Sequence, residues 1–332
     1  MIYYDKEFGK HSVGLTLLQS ATGYHYEESS MAAEGIPLES AKWNALSKEN
    51  VSLLDEWNSG LIEKQLLSYM FRVNYDYNNK YLLTVSGRWD RASQLAEGNK
   101  WAFFPSAALG WRLDQEEFLK DVTWLNQLKF RLGVGVTGNS AIDPYQTKGA
   151  IVSLYYPFGS ALAPGYAASE PLIKDGAVAM ANKNLSWEKT TQYNIGLDYS
   201  VLNGRISGVL DFYTSRTTDL LMAMTIPSLN GYTNTYANVG KTSNIGVDIT
   251  LNTVNVKTRD FEWSTSINAA WQKDKIDELA NGKEDDINNN WFIGQALGVI
   301  YGYECGGLWK EEDAAEMAKF NAKGHSFQAG MV

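Results

Sequence analysis

The sequence predicts an all-β fold: an antiparallel, open curved segment of a transmembrane β-barrel, with about nine to ten strands and long extracellular loops. Apolar and polar residues alternate in one segment after another, and full charges lie in the middle of the polar phases. Aromatic residues lie at both ends of the apolar phases. Because successive side chains on a strand point to opposite faces, each segment has one face for lipid and one for water.

The alternation locates the strands one after another. Residues 81–89, 128–136 and 193–201 carry mostly apolar side chains at every second position. Nine strands can be traced, starting near His11, Leu67, Tyr81, Trp101, Gln127, Trp187, Arg205, Ser243 and Phe261. Residues 1–4 form the end of a tenth strand. These segments are longer than the ~5–6 residues usual for strands of soluble proteins, which favours strands that cross a membrane.

The two phases predict opposite faces of one sheet. Trp101 and Trp111 are ten residues apart, a rise of roughly 24 Å at ~3.4 Å per residue and ~45° tilt. That rise matches the ~25 Å apolar band, with an aromatic rim at each end, that contacts outer-membrane lipid. We therefore expect Trp101, Phe103, Leu109 and Trp111 on the convex, lipid-facing side, and Arg112 and Arg131 on the concave, water-facing side.

The connections between the strands alternate in length. The short ones are residues 77–80, 202–204 and 254–260. The long ones are residues 24–66, 138–187, 216–242 and everything after 273. Residues 114–126 form a medium link on the short side, and Gly204 can take the positive φ that a tight hairpin needs. Short periplasmic turns and long extracellular loops are the asymmetry expected of a membrane barrel.

Composition limits the possible functions. The chain has 332 residues and a net charge of −9, and it has no cluster of lysine and arginine, so nucleic acid is not an expected partner. Cys305 is the only cysteine, which excludes a thiolate zinc site and a disulfide framework. His11, His25 and His325 are scattered along the chain, so no catalytic triad is predicted. We expect no enzyme activity, no cofactor and no metal.

Three local patterns favour structural interpretations. Gly133, Gly135 and Gly138 spell GxGxxG, but no helix start follows them, so glycines that give room inside a barrel are the better interpretation. The acidic residues 284–286 suit calcium by ligand type, although a solvated loop is the better interpretation because EF-hand spacing is missing. Residues 309–320 have helical spacing and predict a short loop helix.

A series of motifs runs in order along the chain. Residues 81–90 read YLLTVSGRWD, residues 98–106 read GNKWAFFPS and residues 110–112 read GWR. They are followed by DQEEFL at 114–119, LKFRLGVGVTGN at 128–139, WEKTTQYNIG at 187–196, NIGVD at 244–248 and GVIYGY at 298–303. In sequence and order these motifs resemble the barrel of SusC/RagA-type TonB-linked outer-membrane proteins, over nearly the whole chain.

The resemblance implies a 22-stranded barrel with a plugged lumen, in the outer membrane of a Bacteroidetes-like Gram-negative bacterium. It implies import of a large nutrient, a glycan or an oligopeptide, with a SusD-like surface lipoprotein and with TonB acting through the N-terminal part. Residues 1–332 are expected to be one partial barrel domain, without the plug and the C-terminal strands. A passive porin-like channel and a surface β-rich binding protein are the alternatives.

Aromatic residues in the long segments are the candidate substrate contacts. They are Tyr155, Tyr156, Tyr166, Tyr232, Tyr236, Trp291 and Tyr301. Aromatic faces stack on sugar rings and on peptide side chains, which suits an importer of either. The competing interpretation is that these rings pack loop against loop, because exposed aromatics also bury locally.

Overall fold

A computed structural model describes residues 1–34, 40, 52–148, 152–159, 161–167, 179–227, 229, 234–302, 305 and 307–331. Within these residues, ten strands form one antiparallel sheet in chain order. They are β1 (Ile2–Phe8), β2 (His11–Glu34), β3 (Ser52–Tyr77), β4 (Tyr81–Ala92), β5 (Trp101–Arg112), β6 (Leu125–Asn139), β10 (Glu188–Val201), β11 (Ile206–Thr218), β14 (Lys241–Lys257) and β15 (Glu262–Glu278). The sheet is open, since β1 and β15 are its edges. The predicted all-β, antiparallel, unclosed barrel segment is confirmed.

Short elements fill the connections between the long strands. The strands among them are β7 (Val152–Phe158), β8 (Ala161–Ala167), β9 (Ala179–Met180), β12 (Leu221–Thr225) and β13 (Asn234–Asn238). The helices are the 3-10 turns Leu113–Gln115, Glu117–Leu119, Ile287–Asn289 and Glu311–Asp313, and α1 (Ala314–Asn321). The helix predicted within residues 309–320 is confirmed as α1, where Met317 is buried. In the described part of the chain, no helix is both long and apolar enough to cross a membrane.

The cross-strand register confirms the predicted division of the side chains between two faces. Leu109 lies opposite Leu132, and Trp111 lies opposite Phe130. Phe103 shares the phase of these residues and lies opposite Trp89. On the other face, Arg112 lies opposite Lys129 and Arg131 lies opposite Gly110. The apolar set therefore lies on one face of the sheet and the charged set on the other.

Two rows of aromatic side chains border the apolar face. Near the short turns, Tyr77 pairs with Tyr81, and Tyr81 pairs with Trp111. Toward the other end, Tyr69 pairs with Trp89, whose ring lies 4.5 Å from that of Phe103. The amphipathic rings of Tyr and Trp favour the two boundaries between lipid and water. The aromatic rows therefore mark the height of the lipid-facing band.

One predicted link is partly wrong, because β2 and β3 continue far into residues 24–66. β2 runs to Glu34 and β3 begins at Ser52, and their register includes Tyr24 opposite Lys64 and Tyr26 opposite Ile62. The large side chains of this ribbon, such as Tyr24 and Leu61, are exposed. A ribbon with water on both faces needs no alternation of apolar and polar residues, so its strands leave no hydrophobic period in the sequence.

The short turns have the backbone conformation that tight hairpins require. Leu202, Asn203 and Gly204 have φ values of 55°, 57° and 76°, and Asn78 and Asn79 have φ values of 57° and 55°. Positive φ is uncommon outside glycine, and asparagine is among the residues that tolerate it best. Both turns lie at the same end of the sheet, opposite the long loops, as predicted.

We predict that the chain alone does not form a closed barrel. The outer edges of β1 and β15 leave backbone N–H and C=O groups without strand partners, which lipid and detergent cannot satisfy. Refolded in detergent and run on a denaturing gel, unheated and heated samples should show the same mobility or aggregate. A compact monomeric band that shifts on heating would show closure and contradict this prediction.

Candidate functional site on the polar face and in the loops

The middle of the polar face carries an ion-pair network across three strands. Arg131 of β6 donates from Nε to Asp198 Oδ1 of β10 at 2.9 Å. Its Nη2 donates to Asp211 Oδ1 of β11 at 3.0 Å. The three side chains are between a fifth and a third exposed, so water screens the network and a surface-type ion pair is worth roughly 0.2–1 kcal/mol. The network links three neighbouring strands across the hydrated face of the sheet.

Gly196 makes room for this network. It lies between Arg131 and Asp211 in the cross-strand row. A Cβ at position 196 would lie 2.5 Å from Asp211 Oδ1 and 2.6 Å from Arg131 Cζ. The arginine therefore reaches its second carboxylate by crossing the strand over a residue that has no side chain. The alternation in the sequence placed Arg131 and Asp198 on the wet face, but their contact depends on register, which a single strand does not reveal.

A small hydrophobic core, here called the loop core, holds the extracellular segments against the wall. Its buried members are Ala92, Leu95, Phe104, Ile142, Leu185 and Trp187. The rings of Phe104 and Trp187 meet edge to face with their centroids 5.3 Å apart. Pairing of β5 with β6 ends at Ser106 and Gly135, and beyond that point Gly138 leaves the space that the Phe104 ring fills.

Hydrogen bonds to backbone atoms connect the same loops around the loop core. Trp187 Nε1 donates to the Lys100 carbonyl at 2.9 Å, and Asn99 Nδ2 donates to the Asn184 carbonyl at 2.9 Å. Asn238 Nδ2 donates to the carbonyls of Ser186 and Asp219 at 2.9 and 3.0 Å. Side-chain amides that bind buried carbonyls satisfy groups that would otherwise be costly to bury. The loops are thus fixed at their roots by packing and by hydrogen bonds together.

The opposite end of the sheet has its own polar clamp. Glu116, in the link after β5, accepts hydrogen bonds from the Tyr81 hydroxyl and from Trp111 Nε1, each at 2.9 Å. It also binds the ammonium of Lys80. The bond from Lys80, then those from Trp111 and Tyr81, hold the pKa of the Glu116 carboxyl below its usual range. Sequence reasoning missed this clamp, because its members belong to two different turns.

The structure describes only part of the predicted set of loop aromatics. Tyr232 lies outside the described residues, and for Tyr155, Tyr156 and Tyr166 the structure describes only the backbone, in the β7–β8 hairpin. Tyr236 packs against the loop core. Trp291 is half-buried, and its backbone pairs with that of Asp286. Tyr301 is 58% exposed, and its ring centroid lies 4.9 Å from that of Phe292 with the ring planes tilted by 49°. The described members therefore do not form one cluster, and substrate contact by these residues stays a prediction.

The two weak motifs have structural roles. Gly133 and Gly135 lie in the middle of β6 on the polar face, opposite Asn194 and Gln192. Asp286 accepts from the backbone N–H of Asn289 at 3.2 Å, and Asp285 accepts from that of Ile293 at 2.7 Å. Among the described residues, no group of three or more His, Cys, Asp and Glu side chains has the arrangement of a metal site.

Comparison with known proteins identifies the class of protein to which this two-faced open sheet belongs. The family described as "TonB dependent receptor-like, beta-barrel" matches residues 5–312. The chain belongs to this family of outer-membrane proteins, and its strands form part of the family's barrel.

Individual similar proteins define the group within this family more narrowly. TonB-dependent receptor SusC of Bacteroides thetaiotaomicron is 38% identical over 255 residues, which cover 74% of this chain and 24% of SusC. TonB-dependent receptor P3 of Formosa agariphila is 32% identical over 321 residues, 92% of this chain and 31% of P3. The structure titled "Structure of the RagAB peptide transporter" matches with a TM-score of 0.75 at 25% identity, over 88% of this chain and 32% of that one. The predicted SusC/RagA resemblance is confirmed, and the chain spans about a quarter to a third of these relatives.

We predict that a charge on the apolar face is costly. In a complete barrel that contains this chain, Leu132→Arg should lower the free energy of unfolding by about 2–4 kcal/mol, because the charge would lie near the bilayer midplane. Gly133→Arg is the matched control, since it places the same side chain one residue further, on the wet face. Denaturant titration in lipid bilayers measures both, and equal losses would show that the faces are wrongly assigned.

We also predict that Gly196 is required for the ion-pair network. Gly196→Val should cost about 1–3 kcal/mol, because the new side chain would displace the Arg131 guanidinium from Asp211. Gly133→Val is the control, since a Cβ there would have its nearest neighbour, Asn194 Cβ, at 3.9 Å. The same denaturant titration compares the two variants. An unchanged free energy of unfolding in Gly196→Val would show that the ion-pair network does not depend on the space at position 196.

Proposed function

We propose that this chain is part of the barrel wall of a TonB-dependent outer-membrane transporter that imports a large nutrient, a glycan or an oligopeptide. The observation that carries the proposal is the open ten-stranded sheet with a lipid-type face and a charged, hydrated face. The similarity to SusC and to the RagAB peptide transporter supports the transport role. A complete barrel would need further strands beyond β1 and β15, and residues 1–332 would then be a partial domain of it.

The partners of the complete transporter are part of the same proposal. A plug domain inside the barrel would gate the path and contact TonB, and a SusD-like lipoprotein would cover the extracellular loops. The charged network around Arg131 faces the space that the plug and the substrate would share. Transport forms and breaks no covalent bond in the nutrient, so the proposal requires no catalytic residue and no cofactor.

We propose the loop aromatics as substrate contacts, and they differ in how much of the ring is exposed. Tyr301 offers a largely exposed ring, and Trp291 offers a half-exposed one. Tyr236 offers least, because part of its ring packs against the loop core. Exposed aromatic faces suit either sugar rings or peptide side chains, so these residues do not distinguish the two nutrient classes.

A porin-like channel and a surface-binding protein differ from the proposed transporter in whether nutrient accumulates in the cell and whether that uptake requires energy. We expect cells that express the complete transporter to take up its nutrient only when TonB and the proton gradient are intact. The measurement is accumulation of labelled oligosaccharides and oligopeptides inside these cells. It is made with TonB, without TonB and in the presence of a protonophore. A strain that lacks the transporter gene is the control.

Two outcomes would contradict the proposal. Uptake that persists without TonB would indicate a passive channel, since diffusion through a pore needs no energy. Surface binding without accumulation inside the cell would indicate a binding protein instead. We expect instead that removal of TonB abolishes accumulation of the nutrient inside the cell, while binding of the nutrient at the cell surface is retained.

A further inference from the structure

A cleft of about 590 Å³, here called the lysine cleft, lies at the extracellular end of the sheet, beside the loop core, with which it shares Leu95. The β3 extension, the β4–β5 link, residues 144–148 and Lys183 border it. It is within the size range of sites that bind small ligands. Lys100 belongs to the GNKWAFFPS motif, and the other residues that line the cleft lie outside the motifs and outside the set of loop aromatics.

The charge of the cleft is opposite to that of the chain. Four lysines, Lys64, Lys100, Lys148 and Lys183, line it beside two carboxylates, whereas the whole chain has a net charge of −9. Lys100 is paired with Glu97 at 2.7 Å. In the ranges that the structure describes, the ammonium groups of Lys64, Lys148 and Lys183 have no carboxylate within ion-pair distance, and that of Lys64 lies 4.7 Å from the centre of the Tyr24 ring. The Debye length is ~8 Å at physiological salt, so the field of this cluster acts mainly on a ligand inside the cleft.

Tyr145 gives the cleft an aromatic platform. Its φ of 74° is in the left-handed region, which is a strained conformation for a bulky residue and often marks a functional position. The Tyr145 carbonyl accepts a hydrogen bond from the Lys148 backbone N–H at 2.8 Å. Tyr145 is 49% exposed, and it lines the cleft together with Lys148.

Most of the other lining residues are polar or charged. Gln94 lies in the cleft and is fixed by donating from Nε2 to the Ser140 carbonyl at 2.9 Å. Of the apolar residues at this place, Leu95 and Ala96 are only 1% and 2% exposed, because they point into the protein, and Pro144 is half-buried. The cleft therefore presents Pro144 and the Tyr145 ring, but no cluster of exposed aliphatic side chains, to a ligand. It offers cations, two carboxylates, amides, hydroxyls and one ring.

We propose that the lysine cleft binds an anionic oligosaccharide, one whose sugars carry carboxylate or sulfate groups. The unpaired ammonium groups would bind the acidic groups, and the Tyr145 ring would stack on the apolar face of a sugar. Lysine suits this ligand because its charge lies on a flexible stem and can follow irregularly spaced anions. The inference rests on the proposed nutrient import and narrows the nutrient to an acidic glycan.

Equilibrium binding to the purified complete transporter in detergent tests the inference without any transport step. Oligogalacturonate is the probe, an uncharged maltooligosaccharide of equal length is the neutral comparison, and oligoglutamate is the peptide comparison. Calorimetry should show binding of oligogalacturonate alone, and the affinity should fall when salt rises from about 0.05 M to about 0.5 M. Equal affinity for the neutral sugar, or preference for the peptide, would overturn the proposal.

Variants locate the binding. The double variant Lys148→Gln/Lys183→Gln should weaken oligogalacturonate binding about tenfold, since two exposed ion pairs are lost. Lys323→Gln is the control, because it removes an exposed lysine far from the cleft in the chain. Tyr145→Ala should weaken binding several-fold, and Tyr145→Phe should not, because the ring and not the hydroxyl makes the contact. Unchanged affinity in the double variant would overturn the proposal.

Two further results separate this inference from the proposed function and from membrane binding. TonB-dependent uptake of another nutrient, without binding of oligogalacturonate, would refute the cleft and leave the transport function standing. Lysine-dependent binding without any uptake would support the cleft and refute transport. Binding to vesicles that contain lipopolysaccharide, but not to free oligogalacturonate, would assign the lysines to the membrane surface and overturn the proposal.

Discussion

In hydrocarbon every backbone N–H and C=O group needs a partner within the protein, and this constraint governs the arrangement of the whole sheet. Each strand of the main sheet pairs with its neighbours in chain order, from β1 to β15, through connections that are short at one end. Because this pairing satisfies the backbone groups within the sheet, the side chains alone project from its two faces, one toward lipid and one toward water. The apolar rows, the polar network around Arg131 and the aromatic borders all follow from that division.

The parts of the structure in contact with lipid could be predicted from the sequence. Lipid on one face and water on the other impose a strict period of two, so the strands near Tyr81, Trp101 and Phe261 were located to within one or two residues. The faces of Phe103 and Arg131 followed from the same period. Asparagine and glycine marked the tight turn at Asn203 and Gly204, because few other residues accept positive φ.

The parts surrounded by water could not be predicted in this way. The extension of β2 and β3 is exposed on both faces at the residues whose side chains the structure describes, so its sequence carries no period and the predicted link is too long. The loop core depends on Phe104, Ile142 and Trp187, which are far apart in the chain and are brought together by the sheet. The same holds for Arg131 and Asp211, whose contact depends on register and on the empty space at Gly196. The substrate contacts need loop geometry that no local pattern contains.

The anchoring of the loops by Phe104 and Trp187 has a consequence for how such a protein can diversify. Substitutions at the roots of the loops disturb the packing of the wall, and selection for a stable barrel removes them. Substitutions further out change only what the loops present to the surroundings. A lineage can therefore acquire new nutrient preferences by drift at the tips while the wall is inherited unchanged. The lysine cleft adjoins those roots, since Leu95 belongs both to the loop core and to the lining of the cleft.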